Sequence, residues 1–103
     1  MLVPFKSLPK DSRIWIFPSS EEIDIQKKAK IKERLIKFIS DWTSHNKNLQ
    51  ASFELPYNRF IVVALNENLQ NASGCSIDAL MNLIQILEKE FDLILLDLSL
   101  IHI

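Results

Sequence analysis

Apolar residues recur along this chain with two different periods, which predict the order of its helices and strands. Spacings of three and four residues predict helices, because they place side chains on one side of an α-helix. The apolar positions of the first predicted helix are Ile31, Leu35, Phe38, Ile39 and Trp42, and those of the second are Ile77, Leu80, Ile84, Leu87 and Phe91. Each helix therefore presents one apolar stripe to a core.

Four other segments predict β-strands, with a turn at "PYN" between the second and third. Residues 13–17 (RIWIF) and 92–98 (DLILLDL) are short apolar runs. Residues 49–55 (LQASFEL) alternate between apolar and polar positions, which predicts a strand with one solvated face and places Ser52 on that polar face. Residues 59–65 (RFIVVAL) are apolar at consecutive positions, which predicts a central strand that is apolar on both faces.

The resulting order, β-α-β-β-α-β, predicts a ferredoxin-like two-layer α+β sandwich. Right-handed crossovers would place the four strands in the antiparallel order 4-1-3-2, with both helices on one face of the sheet. A single domain is predicted for residues 1–97, in which residues 1–12 form an extended N-terminal segment. The same topology brings residues 42–46 and 72–78 together at one end of the sheet. The "PYN" turn and the serines after the first strand belong at the other end.

Polar residues predict where the first helix begins and ends. Ser20 is expected to be its N-cap, with Glu21 and Glu22 in the first turn, where carboxylates interact favourably with the helix dipole. Asn46 is expected to adopt the left-handed conformation as the C-cap, because asparagine tolerates that conformation better than most residues.

Two helices cover only one face of such a sheet, yet its strands are apolar on both faces. An uncovered apolar face of this size predicts an interface. We expect it to be covered either by a C-terminal segment that is missing from this chain or by a second subunit. The predicted partner is therefore an unidentified protein or a second copy of the chain.

Composition narrows the classes of function. Apolar residues make up 48 % of the 103 residues and charged residues 24 %, with a formal net charge of −1. This charge gives no general attraction to nucleic acid or anionic lipid, and the third strand lacks the glycine and aromatic signature of RNA-recognition domains. The single cysteine favours a reducing cytoplasm. With no signal peptide and no apolar run long enough to cross a bilayer, neither membrane insertion nor nucleic-acid binding is predicted.

The only glycine and the only cysteine lie together in the segment "ASGCSID". This segment predicts first a helix start, in which Gly74 makes the turn, Ser73 or Ser76 caps the helix and Asp78 complements the dipole. An exposed helix N-terminus can also bind an anion. The candidates for binding a small ligand are therefore Ser73, Gly74, Ser76 and Asp78.

Cys75 suggests a catalytic alternative. A helix N-terminus activates a thiol, and His45, expected at the same end of the sheet, could act as its base. The other interpretation is that Cys75 packs as a small apolar residue. Arg59, beside the predicted turn, is a further candidate for a carboxylate or phosphate ligand. No metal site is predicted, because His45, Cys75 and Asp78 lack paired ligand spacing, and no cofactor is predicted either. From the sequence as a whole we favour a small binding or interaction domain over an enzyme.

The final residues, 98–103 (LSLIHI), match one reading frame of a transposase mosaic-end adaptor used in sequencing libraries, CTG TCT CTT ATA CAC ATC. We therefore expect residues 98–103 to be a sequencing artefact, His102 to have no role and the native C-terminal part to be missing. The alternative is a natural strand end, since the segment is apolar and rich in residues that favour strands.

Four stretches carry a resemblance to a known family: PFKSLPKDSRIWIF, WTSHNKNLQASFE, YNRFIVVALNE and ASGCSID. The chain resembles a family of small uncharacterised bacterial proteins often labelled ABC transporter ATPase. The resemblance implies a glycine where Asn46 stands and an Asn-Arg pair near Ser20, so this copy departs from the family at both places. A P-loop needs G-x-x-x-x-G-K-[ST], whereas Gly74 is the only glycine and is followed by cysteine. We therefore expect no ATPase activity.

Overall fold

This computed structural model describes residues 1–95, which form two α-helices, two antiparallel sheets and two short 3-10 helices, Phe5–Ser7 and Pro56–Asn58. The strands and helices are β1 (Arg13–Pro18), α1 (Ile25–Asp41), β2 (Thr43–Ser44), β3 (Lys47–Asn48), β4 (Ala51–Glu54), β5 (Phe60–Leu65) and α2 (Gly74–Phe91). This confirms the predicted α+β class. The end of the predicted last strand and the predicted adaptor residues 98–103 lie outside the described residues.

The main sheet has the strand order β1-β5-β4, and both of its strand pairs are antiparallel. These are the first, third and second of the predicted strands, so the apolar segment RFIVVAL is central, as expected. Beyond them, Leu95 forms an isolated antiparallel bridge with Ser19, next to the end of β1.

The core lies between one face of this sheet and the two helices. Side chains from β1 and β5 on this face, including Trp15, Phe17 and Val63, are almost fully buried. The helices contribute their predicted stripes: Ile31, Leu35, Ile39, Leu80, Ile84, Leu87 and Phe91 are buried, and Phe38 and Ile77 are partly buried against them. None of the helices in the described part of the chain is long and apolar enough to cross a membrane.

The start of α1 differs from the prediction. The N-cap is Asp24, whose side chain accepts a hydrogen bond from the backbone N–H of Lys27 at 2.8 Å. Ser20 therefore does not cap the helix, and Glu21 and Glu22 precede it. The backbone N–H of Ile23 donates to the carbonyl of Asn58 at 2.7 Å. This contact keeps the chain extended up to the cap, so the helix starts later than local sequence preference suggests.

The end of α1 also differs from the prediction, because Asn46 does not cap the helix. The helix ends at Asp41, and the chain then makes a small hairpin, β2–β3, whose turn residues are His45 and Asn46. Both have positive φ, 52° and 64°, as a type I′ turn requires. The left-handed conformation predicted for Asn46 is confirmed, but it occurs in the turn of a hairpin that no sequence pattern predicts.

The sheet face away from the helices, which we call the open face, is partly covered by residues 1–12 of the chain itself. Residues 1–3 pair with the edge strand β4 through Val3 N–H to Ala51 O (3.0 Å) and Ala51 N–H to Met1 O (3.1 Å). Residues 5–12 then lie beside Ile14 and Ala64 on this face. The predicted solvation of Ser52 is wrong for this reason: Ser52 is 4 % exposed.

At the far end of the sheet, the "PYN" turn holds the loop between β1 and α1, as the topology predicted. The backbone N–H of Ser19 donates to the carbonyl of Arg59 at 2.7 Å, and Lys28 Nζ donates to the side-chain oxygen of Asn58 at 2.7 Å. Tyr57 and Asn58 have positive φ, 57° and 54°, which turns the chain sharply between β4 and β5.

Candidate functional site

The segment "ASGCSID" forms the start of α2, which confirms its interpretation as a helix start. Ser73 is the N-cap, and its hydroxyl accepts a hydrogen bond from the backbone N–H of Ser76 at 3.1 Å. In return, the hydroxyl of Ser76 accepts from the backbone N–H of Ser73 at 2.8 Å. This reciprocal pair is a capping box. Two backbone donors that an anion would use are therefore already bonded within the cap.

Gly74 has a different role from the expected one. It is the first residue of α2, and no glycine in the described chain has positive φ. A Cβ atom built on Gly74 would meet nothing within 4 Å. The turn before the helix therefore does not require glycine at this position. Asp78 is exposed and lies beyond the first turn of the helix, which contains no acidic residue.

Cys75 is a free and exposed thiol in the first turn of α2. It lines a shallow depression of about 310 Å³ between the end of α1 and the start of α2. The other residues of this depression are Phe38, Asp41, Trp42, Thr43, Ser76 and Ala79. This exposed position does not favour the interpretation in which Cys75 packs as a small apolar residue.

His45 lies at the same end of the molecule but lines another depression. That depression, of about 400 Å³, is formed with residues 67–72 of the loop before α2. The carboxylate of Glu67 orders this loop by accepting from the backbone N–H of Ala72 at 3.1 Å. The same carboxylate forms an ion pair with the guanidinium of Arg13, with 3.8 Å between the nitrogen and the oxygen. The guanidinium carbon of Arg13 lies 4.8 Å from the ring centre of Trp15.

The end of α1 and the start of α2 meet, as the topology predicted. The indole N–H of Trp42 donates to the carbonyl of Ser76 at 2.9 Å, in a contact that is buried. His45 and Cys75 nevertheless open onto different depressions. The structure thus brings the two loops together without placing the imidazole and the thiol in one cavity.

Arg59 lies at the opposite end of the sheet from Cys75. Its side chain is exposed, and its backbone closes the "PYN" turn by donating to the carbonyl of Pro56 at 3.2 Å. The helix-start candidates and Arg59 therefore do not form one site. Among residues 1–95, no group of three or more histidine, cysteine or carboxylate side chains is arranged to hold a metal ion.

The amino group of Met1 makes contacts that were not predicted from the sequence. This group donates to the carbonyl oxygens of Ile39 at 3.1 Å and Leu49 at 2.6 Å. A cation at the last turn of α1 interacts favourably with the negative end of the helix dipole. Burial lowers the pKa of the Met1 amino group below its usual value of 8.0, and the nearby carboxylate of Asp41 opposes this shift. No periodic pattern in the sequence could reveal this contact, because it joins residues far apart in the chain.

Comparison of the chain with models of protein families, with curated proteins and with solved structures gives no match. An assignment of function must therefore come from the surfaces and contacts of the described residues.

Proposed function

We propose that this chain is a small binding or interaction domain, and not an ATPase, whose contact surface is the open face. Ile14 carries this proposal: it is 49 % exposed although it lies in a strand of the main sheet. Ile16 and Val62, which pair across β1 and β5 on the same face, are only partly buried. Covering these neighbouring aliphatic side chains with another surface removes them from water and lowers the free energy.

The partner that best fits this surface is a second copy of the chain. A two-fold symmetric interface places the same patch against itself. Ile14, Ile16 and Val62 are uncharged, so these three residues bring no like charges together. The face also carries the carboxylate of Glu54, which pairs with Val62, and the lysines 6 and 10 beside Ile14. The formal net charge of −1 also leaves little overall repulsion between two copies.

Sedimentation equilibrium of the full chain tests this proposal. We expect a mass of twice the 12.0 kDa chain at micromolar concentration, and a single-chain mass for Ile14→Lys. Ile86→Lys is the matched control, because Ile86 is also exposed, at 54 %, but lies on α2. A parent protein that remains monomeric at every concentration would contradict the proposal, as would equal dissociation of the control variant.

The ferredoxin-like strand order 4-1-3-2 is also a proposal. It is supported by the bridge between Leu95 and Ser19 and by the hydrogen bond from the backbone N–H of Ser20 to the carbonyl of Ile94, 2.9 Å. Both contacts join residues 94 and 95 to the residues that follow β1, on the side where the fourth strand of that order would pair. Nuclear Overhauser contacts between β1 and the residues after Leu95 would test this order. Membership of the ABC transporter ATPase-labelled family and a cytoplasmic location remain proposals drawn from the sequence.

A thiol-dependent enzyme or sensor centred on Cys75 is the alternative function. The exposure of Cys75 in the first turn of α2 favours it, because a reactive thiol must be reachable by its substrate. The separate depressions of Cys75 and His45 argue against His45 as the base. The rate of Cys75 alkylation across pH, compared with that of a free thiol, distinguishes this alternative from an interaction domain.

A further inference from the structure

The N-terminal segment, residues 1–12, crosses the open face and leaves a cleft beneath it. Its first residues are fixed to the edge strand, since Leu2 bridges Ala51 in parallel and Val3 donates to the carbonyl of the same residue. Its last residues lead directly into β1. Residues 4–12 are therefore held at both ends over the sheet.

Two similar turns shape this segment. In each, a serine bonds the carbonyl of the proline three residues earlier through both its backbone N–H and its hydroxyl. The distances are 2.9 Å and 2.6 Å from Ser7 to Pro4, and 3.1 Å and 2.7 Å from Ser12 to Pro9. Proline restricts the chain further by fixing φ. The wall of the cleft is thus ordered before any ligand binds, which lowers the entropic cost of binding.

The cleft has a volume of about 380 Å³, within the usual range for small-molecule sites. Its lining residues are Phe5, Lys6, Leu8, Pro9, Lys10, Ser12, Ile14 and Ala64. Five of these side chains are apolar, and Ala64 is only 2 % exposed. The two charged residues of the lining are both lysines, and the lining contains no carboxylate.

We infer that this cleft binds an amphipathic anion, namely a molecule with an apolar chain and one carboxylate. The apolar chain would lie against Leu8, Ile14 and Ala64, where it leaves water. The carboxylate would pair with Lys6 and Lys10, whose ammonium groups form charge-assisted hydrogen bonds with anions. This inference is argued from the cleft and its charges and not from the proposed dimer. Ile14 belongs to both surfaces, so a bound ligand and the dimer contact would compete for it.

Calorimetric titration of the full chain with decanoate, below its micelle concentration, tests the inference. We expect saturable binding with one site per chain. The paired variant Lys6→Gln/Lys10→Gln should weaken it at least fivefold, as should Leu8→Ser. The matched control is Lys30→Gln/Lys32→Gln, which removes the same charge from exposed positions on α1 and should leave the affinity unchanged.

Decyltrimethylammonium, which has a similar chain and the opposite charge, completes the test. We expect it not to bind. Equal binding of this cation, equal weakening by the control pair, or an absence of saturable decanoate binding would overturn the inference. None of the substituted residues is Ile14, Ile16 or Val62. The sedimentation experiment on the dimer can therefore fail while this titration succeeds, and the reverse is equally possible.

Discussion

The indole N–H of Trp42 donates a hydrogen bond to the backbone carbonyl of Ser76 at 2.9 Å, and so ties the end of α1 to the start of α2. Both residues are only 3 % exposed. The Trp42 ring also packs edge-on against Trp15, with ring centres 5.9 Å apart, and lies 5.3 Å from the ring of Phe38. One side chain thus joins both helices to β1.

Trp42→Phe should lower the free energy of unfolding by about 1–3 kcal/mol, because it removes a buried donor and leaves a cavity. Urea denaturation followed by circular dichroism measures this change. Tyr57→Phe is the control, since Tyr57 is 86 % exposed and should change stability by less than about 0.5 kcal/mol. Equal stability of Trp42→Phe and the parent would show that the contact does not hold the helices together.

Gly74→Ala should raise the free energy of unfolding by about 0.4–1 kcal/mol. The new methyl group would meet no atom within 4 Å, and the residue already lies in the helix. Alanine also reduces the conformational freedom of the unfolded chain. Thermal unfolding of the two proteins provides the comparison, and a clear loss of stability in Gly74→Ala would mean that the glycine is needed for something other than backbone freedom.

Ser73→Ala and Cys75→Ser distinguish the contribution of the helix cap to stability from that of the thiol. Ser73→Ala should lower the free energy of unfolding by about 1 kcal/mol, because it removes one half of the capping box. Cys75→Ser should change it by less than about 0.5 kcal/mol, because the side chain is exposed. Urea unfolding measures both. A large loss in Cys75→Ser would imply that the sulfur contributes packing that its exposure does not suggest.

Asn46→Gly should raise the free energy of unfolding by about 1 kcal/mol, because glycine adopts the left-handed conformation of this turn position without strain. His45→Asn should retain the turn and leave the alkylation rate of Cys75 at neutral pH unchanged, because the two side chains line different depressions. Iodoacetamide kinetics measures that rate. A several-fold slower reaction in His45→Asn would instead support the thiol alternative.

The Met1 amino group should make stability depend on pH below 8.0. Because burial lowers its pKa below 8.0, the unfolded chain binds this proton at a higher pH than the folded chain does. Its contribution to stability should therefore fall as the pH drops from 8.0 toward the lowered pKa, and be recovered on returning to alkaline pH. Asp41→Asn should lower the pKa further, because Asp41 opposes the shift. Titration of the amino group by NMR in both proteins checks the direction, and a higher pKa in Asp41→Asn would contradict it.

The helices and strands with strong periodicity follow from the local pattern of residues. The stripe of Ile31, Leu35 and Ile39 defined α1, because only a helix buries residues at this spacing. The apolar run in β5 identified the central strand, and the handedness of crossovers then gave the order β1-β5-β4. The contact between the ends of the helices followed from the same topology, although no motif marks it.

Other features depend on contacts between residues that are distant in the chain. Ser20 and Asp24 are both good N-caps by local preference, and the bond from Ile23 to Asn58 selects the later position. Ser52 shares the polar positions of an alternating strand with Gln50 and Glu54. Pairing of residues 1–3 with β4 nevertheless brings the N-terminal segment over this face of the sheet. These contacts join residues that are 35 positions apart (Ile23 and Asn58) and 48 positions apart (Val3 and Ala51). Their energy is therefore absent from any local pattern and arises only once the chain has folded.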